Sequence, residues 1–96
     1  MSGIEQPLNL VSLARSASDR ALVPGTAFEV VSLTKSSHTM LERSLWLLVL
    51  SGELIIDLPH GDFRILKVGD SLHLPTGLKI GFEPLDDVVF LRVQDM

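Results

Sequence analysis

The chain has 96 residues, of which 46% are hydrophobic and 21% are charged, with a formal net charge of −4 and no cysteine. This length forms one domain that buries roughly 60 to 65% of the surface exposed by the unfolded chain. Without cysteine the fold has no disulfide, thiolate metal site or thiol nucleophile, and its eight scattered basic residues predict no nucleic-acid surface.

The predicted elements begin with an irregular N-terminal part, residues 1–24. The apolar residues of 8–13 predict a first strand or a short helical turn, and the polar residues 15–20 predict a loop. Pro24 and Gly25 predict a turn, and residues 27–33 are rich in strand-forming side chains. The N-terminal part is therefore expected to be a strand and a loop that lead into a β domain.

The strongest predicted strand covers residues 45–50, which are apolar on both faces. One face of such a strand meets the interior, and the other meets a second layer or a partner. Further short strands are predicted, each bounded by glycine, proline or charged residues, over 54–58, 63–66, 71–74, 78–82 and 88–93. Strands that recur about every ten residues predict an all-β sandwich or barrel.

Two glycine-anchored segments resemble the signature segments of the cupin superfamily. The first family segment, G-x5-H-x-H-x(3,4)-E-x6-G, would close on Gly52, and the second, G-x5-P-x-G-x2-H-x3-N, matches Gly69, Pro75 and Gly77. Glycine permits the backbone angles that such tight turns need. The resemblance implies an all-β, single-domain jelly-roll barrel, a cupin-like double-stranded β-helix, over residues 1–96.

The resemblance also implies four metal-ligand positions. With a four-residue spacer these fall on His38, Met40, Leu45 and Ile80, so only the first retains a ligating side chain suited to the family's metals. A catalytic metal needs at least three nitrogen or oxygen ligands from the protein. We therefore expect no metal and no cofactor.

A pocket at the barrel mouth is the remaining candidate for a site. The candidate lining residues, which include the former ligand positions, are His38, Met40, Leu45, Ile80 and Phe82. Such a lining predicts a small apolar or mixed-polarity ligand. His38 is the residue with most chemical scope, although a histidine at the start of a strand can equally be hydrogen-bonded to a neighbour.

Three functions are compatible with this pattern. The first is a metal-free module that binds a small molecule or a protein. The second is a divergent metal-dependent enzyme, of dioxygenase or isomerase type, that uses His38 with other ligands. The third is an accessory subunit that binds another protein through Trp46, Leu48 and Leu50. Catalysis is the weaker expectation, because no serine lies in an activating motif and Asp86-Asp87 reads as a solvated turn.

Location and assembly are predicted from composition alone. The longest apolar run has six residues, against the ~20 that span a bilayer, so we expect a cytoplasmic protein with no membrane association. The apolar fraction is high for so small a domain, which predicts that some apolar surface is covered in a homodimer.

Overall fold

The computed structural model describes residues 6–94 of the chain. Its elements are α1 (Leu10–Ser16), β1 (Arg20–Leu22), β2 (Glu29–Leu33), β3 (Ser37–Met40), β4 (Leu45–Asp57), a 3-10 turn (Pro59–Gly61), β5 (Phe63–Leu66), β6 (Ser71–Leu74) and β7 (Lys79–Gln94). All strand pairs are antiparallel. The fold is an all-β jelly roll, as predicted. Within the described part, no helix is long and apolar enough to cross a membrane.

Two long strands, β4 and β7, run through the whole domain and pair with each other along most of their length. The first half of β4 also pairs with β6 and the second half with β5, while β7 pairs first with β3 and then with β2. These pairings make two sheets that share both long strands. All seven strands belong to one hydrogen-bonded network. Its pairings divide it into a first sheet of order β1-β2-β7-β4-β6 and a second sheet of order β3-β7-β4-β5.

The bend between the two sheets lies at Gly52. The register of β4 against β7 is irregular between Val49 and Glu53, as at a β-bulge. Gly52 has a φ of +78°, and a Cβ there would clash with the backbone carbonyl oxygen of Asp87. The separate strands predicted on either side of Gly52 are therefore one bent strand, because pairing with β7 continues through the bulge.

The sequence also missed a short strand. The polar run 35–43 lacks strand periodicity at its start and predicts no strand there, yet residues 37–40, all exposed, form β3 as the edge of the second sheet. The strand forms because its backbone groups hydrogen-bond to β7, and the pattern of side chains does not predict this pairing. β3 brings His38 next to β7.

The core lies between the two sheets. Both sheets contribute to one buried cluster that contains Leu45, Leu47 and Val49 from the first and Leu54 and Ile56 from the second. The rings of Phe82 and Phe90 stack across this core, with centroids 5.7 Å apart and an interplanar angle of 9°. Burial of these side chains is the main contribution to stability.

Of the two alternatives predicted for residues 8–13, a strand or a short helical turn, the structure has the helix. Residues 10–16 form α1, and the predicted loop over 15–20 is shortened because the helix continues to Ser16 and β1 begins at Arg20. Asn9 caps the helix, since its Oδ1 accepts from the Ser12 N–H at 3.0 Å. Ala14 is fully buried against Val30 and Val89, so α1 covers the outer face of the first sheet.

This coverage explains why β4 is apolar on both faces. Leu50 packs against the α1 cluster, and Trp46 lies edge-on to Phe28 with ring centroids 6.2 Å apart. Trp46, Leu48 and Leu50 are all half-buried by the chain itself.

Candidate functional site

The five candidate pocket residues divide between the inside and the outside of the barrel. Leu45, Ile80 and Phe82 belong to the buried core, whereas His38 and Met40 are exposed on β3. His38 lies directly opposite Gly81 on β7. Residues that face each other in an antiparallel pair project from the same face of the sheet. Ile80 and Phe82, which flank Gly81 in the sequence, point into the core. Gly81 and His38 therefore lie on the opposite, outer face of the sheet.

The interior-facing residues of this segment are Thr39 and Leu41. Thr39 lies opposite the buried Ile80, and Leu41 is itself buried in the core. The family segment therefore fits with a spacer of three residues, and not four, between its second histidine position and Leu45. A shift of one residue exchanges the faces of a strand, which removes His38 from the ligand set.

The donor set at the four ligand positions does not fit a metal ion. Leu41, Leu45 and Ile80 have no lone pairs, and Thr39 offers one neutral hydroxyl. Among the residues that the structure describes, no group of three His, Cys, Asp or Glu side chains is placed to hold a metal. The residues at the four ligand positions therefore do not support metal chemistry.

A pocket of about 370 Å³ opens at one end of the barrel interior. We call it the mouth pocket. It is lined by Arg20, Thr39, Met40, Leu41, Glu42, Leu45, Phe82, Arg92 and Gln94. Leu45 and Phe82 are 1% and 6% exposed and supply a small apolar patch at its base, while most of the lining is polar. Three of the predicted residues, Met40, Leu45 and Phe82, thus share this pocket, together with polar residues that the sequence did not suggest.

The two arginines of the mouth pocket differ in their partners. Arg92 lies opposite Glu29, and its Nε and Nη2 donate to Glu29 Oε1 at 3.2 and 3.1 Å. The side chain of Arg20 forms no hydrogen bond or ion pair with any residue in the range 6–94. Glu42 is exposed on the same rim. One guanidinium is therefore fixed and neutralised, and the other is available.

A second pocket, of about 410 Å³, lies on the outer surface of the second sheet. We call it the outer pocket. It is lined by His38, Thr39, Met40, Asp57, Leu58, Lys79, Ile80 and Gly81. His38, Gly81 and Asp57 form one row across β3, β7 and β4. A Cβ added to Gly81 would lie 3.0 Å from His38 Nε2 and 3.2 Å from Asp57 Oδ2, so a side chain at position 81 would displace the His38 ring and the Asp57 carboxylate.

One surface carboxyl near the outer pocket has a shifted pKa. Arg64 Nη1 donates to Asp62 Oδ1 at 2.8 Å, and this hydrogen bond, with one from the Phe63 N–H, holds the pKa of Asp62 below its usual value. Asp62 lines neither pocket, so this shift does not bear on ligand chemistry.

The arginines were missed for identifiable reasons. Arg20 lay in a predicted loop, where a side chain has no defined direction. Arg92 lies two residues after Phe90 in a predicted strand, so the two side chains share one face of the sheet. The apolar Phe90 was therefore a usable signal that Arg92 faces the interior.

Comparisons with known proteins identify the fold. No protein-family model matches the chain, and no curated protein matches it. Solved structures do match. A protein from Neisseria meningitidis is 11% identical with a TM-score of 0.77, and the match covers 95% of this chain and 100% of that one.

Two further similar structures carry informative descriptions. A cupin-2 domain protein from Shewanella frigidimarina is 12% identical with a TM-score of 0.75, over 88% of this chain and 90% of that one. Hydroquinone 1,2-dioxygenase from Sphingomonas sp. TTNP3, with 4-hydroxybenzoate bound, is 16% identical with a TM-score of 0.76, over 90% and 71%. At such identities the likeness concerns the fold alone. The chain has the cupin fold, as its two glycine-anchored segments predicted.

Proposed function

We propose that this protein is a metal-free cupin-fold binding module whose mouth pocket takes a small organic carboxylate with an apolar body. One observation carries the proposal. Arg20, a cation with no partner among the described residues, stands at the rim of a pocket whose base is formed by Leu45 and Phe82.

The size and base of the mouth pocket favour a small molecule. Its volume of about 370 Å³ falls in the range of roughly 300 to 1,000 Å³ typical of ligand pockets. Leu45 and Phe82 are held rigidly by the core, and Met40 is a flexible apolar side chain at the entrance. Most of the lining is polar, so only a short aliphatic chain or the edge of one ring finds apolar surface at the base.

The charges favour an acid. A guanidinium can donate two parallel hydrogen bonds to one carboxylate, and in a partly enclosed site this pairing is stronger than a neutral hydrogen bond. Arg92 is already occupied by Glu29, which leaves Arg20 to take the ligand. Glu42 on the same rim would repel a second acidic group, so a monocarboxylate fits better than a dicarboxylate.

The metal-dependent alternative has no support in this site. Its ligands were to include His38, which projects from the outer face, and the interior positions carry Thr39 and aliphatic side chains. Binding through Arg20 needs none of these groups.

Matched pairs of acids and amides test the proposal. Benzoate and hexanoate should bind the purified protein, whereas benzamide and hexanamide should bind at least about tenfold more weakly, because the amides have no charge for Arg20. Isothermal titration calorimetry measures both. Arg20→Gln should abolish the preference for acids, while Arg64→Gln, which removes an arginine paired with Asp62 away from the mouth, should keep it. Equal binding of acids and amides would contradict the proposal.

A further inference from the structure

The outer pocket contains two polar side chains that the proposed function does not use. His38 on β3 and Asp57 on β4 stand on either side of Gly81 on β7, and the three residues form one row on the outer face of the second sheet. Within residues 6–94, neither the His38 ring nor the Asp57 carboxylate forms a hydrogen bond or an ion pair. Both groups are therefore available to a ligand.

The absence of a side chain at Gly81 leaves a small gap between these two groups. The point where a Cβ would stand lies 3.0 Å from His38 Nε2 and 3.2 Å from Asp57 Oδ2. The two polar atoms thus approach one another across the glycine without forming an ion pair. Hydrogen bonds between nitrogen and oxygen are about 2.7 to 3.2 Å long, so one polar atom of a ligand placed above the gap can reach both groups.

This gap fits a hydrogen-bonded ligand better than a metal ion. Zinc binds nitrogen and oxygen ligands at about 2.0 to 2.2 Å and takes at least three of them from a protein. The row supplies two, and in the range 6–94 no group of three His, Cys, Asp or Glu side chains is placed to hold a metal. A ligand that forms hydrogen bonds needs only the two groups present.

The charges around the gap favour a neutral ligand. Asp57 and Lys79, which both line the outer pocket, have opposite charges. A carboxylate would be repelled by Asp57 and by Glu83, which lies two residues after Gly81 on the same outer face. An ammonium would be repelled by Lys79 and, when its ring is protonated, by His38. Among neutral groups, a hydroxyl both accepts and donates hydrogen bonds through one atom.

We infer that the outer pocket binds a neutral hydroxyl compound with a small apolar body. The hydroxyl oxygen accepts a hydrogen bond from the Nε2–H of His38, and the hydroxyl group donates its own hydrogen to Asp57 Oδ2. Most of the pocket's lining is apolar and includes the exposed Met40, so the body of the ligand finds apolar surface beside the gap. The site makes no use of Arg20, so this inference is independent of the acid proposed for the mouth pocket.

Ligands that share one ring and differ in one group test the hydroxyl. Nitrogen-15 NMR spectra of the full chain, recorded with cyclohexanol up to about 20 mM, cover the millimolar affinity expected of so small a ligand. The backbone amides of His38, Asp57 and Gly81 should shift until the site is saturated. Methoxycyclohexane keeps the oxygen but cannot donate to Asp57, and cyclohexylamine replaces the hydroxyl with an ammonium. Each should bind at least about fivefold more weakly than cyclohexanol.

Substitutions within the row test its geometry. Gly81→Ala puts a methyl group into the gap and displaces the His38 ring and the Asp57 carboxylate, so it should lower the affinity for cyclohexanol at least about tenfold. Gly81 has no positive φ, so alanine suits its backbone. Asp57→Ala and His38→Ala should each weaken binding at least about threefold, because each removes one hydrogen bond to the hydroxyl.

Matched substitutions away from the row should leave the affinity for cyclohexanol unchanged. Asp62→Ala removes an exposed carboxylate that lines neither pocket, and His73→Ala removes an exposed histidine on β6 of the first sheet. Arg20→Gln alters the mouth pocket alone. It should abolish the preference for acids and keep the binding of cyclohexanol, so the inference and the proposed function can fail separately.

Several results would overturn the inference. One is the absence of shifts at the highest cyclohexanol concentration, and another is a set of shifts centred on Arg20 and Gln94, which line the mouth pocket. A third is binding of methoxycyclohexane or cyclohexylamine as tight as that of cyclohexanol. Unchanged affinity in both Asp57→Ala and His38→Ala would do the same, even if Gly81→Ala fails to fold. Far-ultraviolet circular dichroism checks the folding of each variant.

Discussion

Arg92 and Glu29 form a partly buried ion pair that joins β7 to β2 at the barrel mouth. Their Nη2–Oε1 distance is 3.1 Å, and their side chains are 17% and 31% exposed. The pair holds Arg92 against the wall of the mouth pocket and removes its positive charge from the ligand. Arg20 is left as the available cation of the rim.

Breaking this pair should destabilise the fold. Arg92→Met or Glu29→Leu alone leaves a partly buried charge without its partner, and each should lower the free energy of unfolding by about 1 to 3 kcal/mol, less than for a fully buried pair. The double variant should cost less than the sum of the two. Urea denaturation measures all four proteins, and additive losses would show that the two side chains do not interact.

Gly52 should tolerate substitution far less than a glycine of similar backbone angle. Gly25 and Gly52 have φ values of +77° and +78°, but only at Gly52 would a Cβ clash with a backbone carbonyl, that of Asp87. Gly25→Ala should cost about 1 kcal/mol from the left-handed conformation alone.

Gly52→Ala carries that cost and the steric clash as well, so its loss should exceed that of Gly25→Ala by about 2 kcal/mol or more. Thermal and urea unfolding of the two variants provide the comparison. Equal losses would show that β4 can move away from Asp87 and that the bend does not depend on this contact.

The register of β3 can be tested by building a metal site. Thr39→His, Leu41→His, Leu45→Glu and Ile80→His together place four ligands on the interior side, and this variant should bind Co²⁺ with a visible absorption band. The matched control, Met40→His with Leu45→Glu and Ile80→His, keeps native His38 and follows the four-residue spacing instead.

The control should bind Co²⁺ much more weakly, because His38 and a histidine at position 40 lie on the outer face. Absorption titration gives the stoichiometry of each variant, and circular dichroism with and without Co²⁺ shows which protein is folded. Tighter Co²⁺ binding by the control variant would show that His38 faces the barrel interior, contrary to the pairing of β3 with β7.

The sequence predicted the architecture because turns and alternation are local signals. Gly52, Gly69 and Gly77, which carried the resemblance, all have positive φ values in the structure. The bursts of apolar residues likewise marked most of the strands. The cupin fold followed from these features even though no family model matches the chain.

The site was harder to predict because it depends on register. A spacer of three or four residues fits the family segment equally well, yet the choice decides whether His38 faces the interior or the solvent. Only the pairing of Thr39 with Ile80 resolves it. Similarly, the apolar residues at 10, 11 and 13 suit a strand or a helix, and the capping by Asn9 that selects the helix was overlooked.

Arg20 could not have been assigned from its neighbours in sequence. It reaches the mouth pocket because β1 adds to the edge of the first sheet opposite Val31. That placement is a property of tertiary structure. The charge on which the proposed function rests, which has no partner among residues 6–94, therefore became visible only with the fold.

The most direct test of the proposed function is to map where a small acid binds. Nitrogen-15 NMR spectra of the protein titrated with benzoate should show shifts of the Arg20 Nε–H and the Gln94 side-chain amide, which line the mouth pocket. The backbone amides of Asp57 and Phe63, which face each other in the second sheet, should not move. Shifts confined to Asp57 and Phe63, or no shifts at saturating benzoate, would contradict an anion site at Arg20.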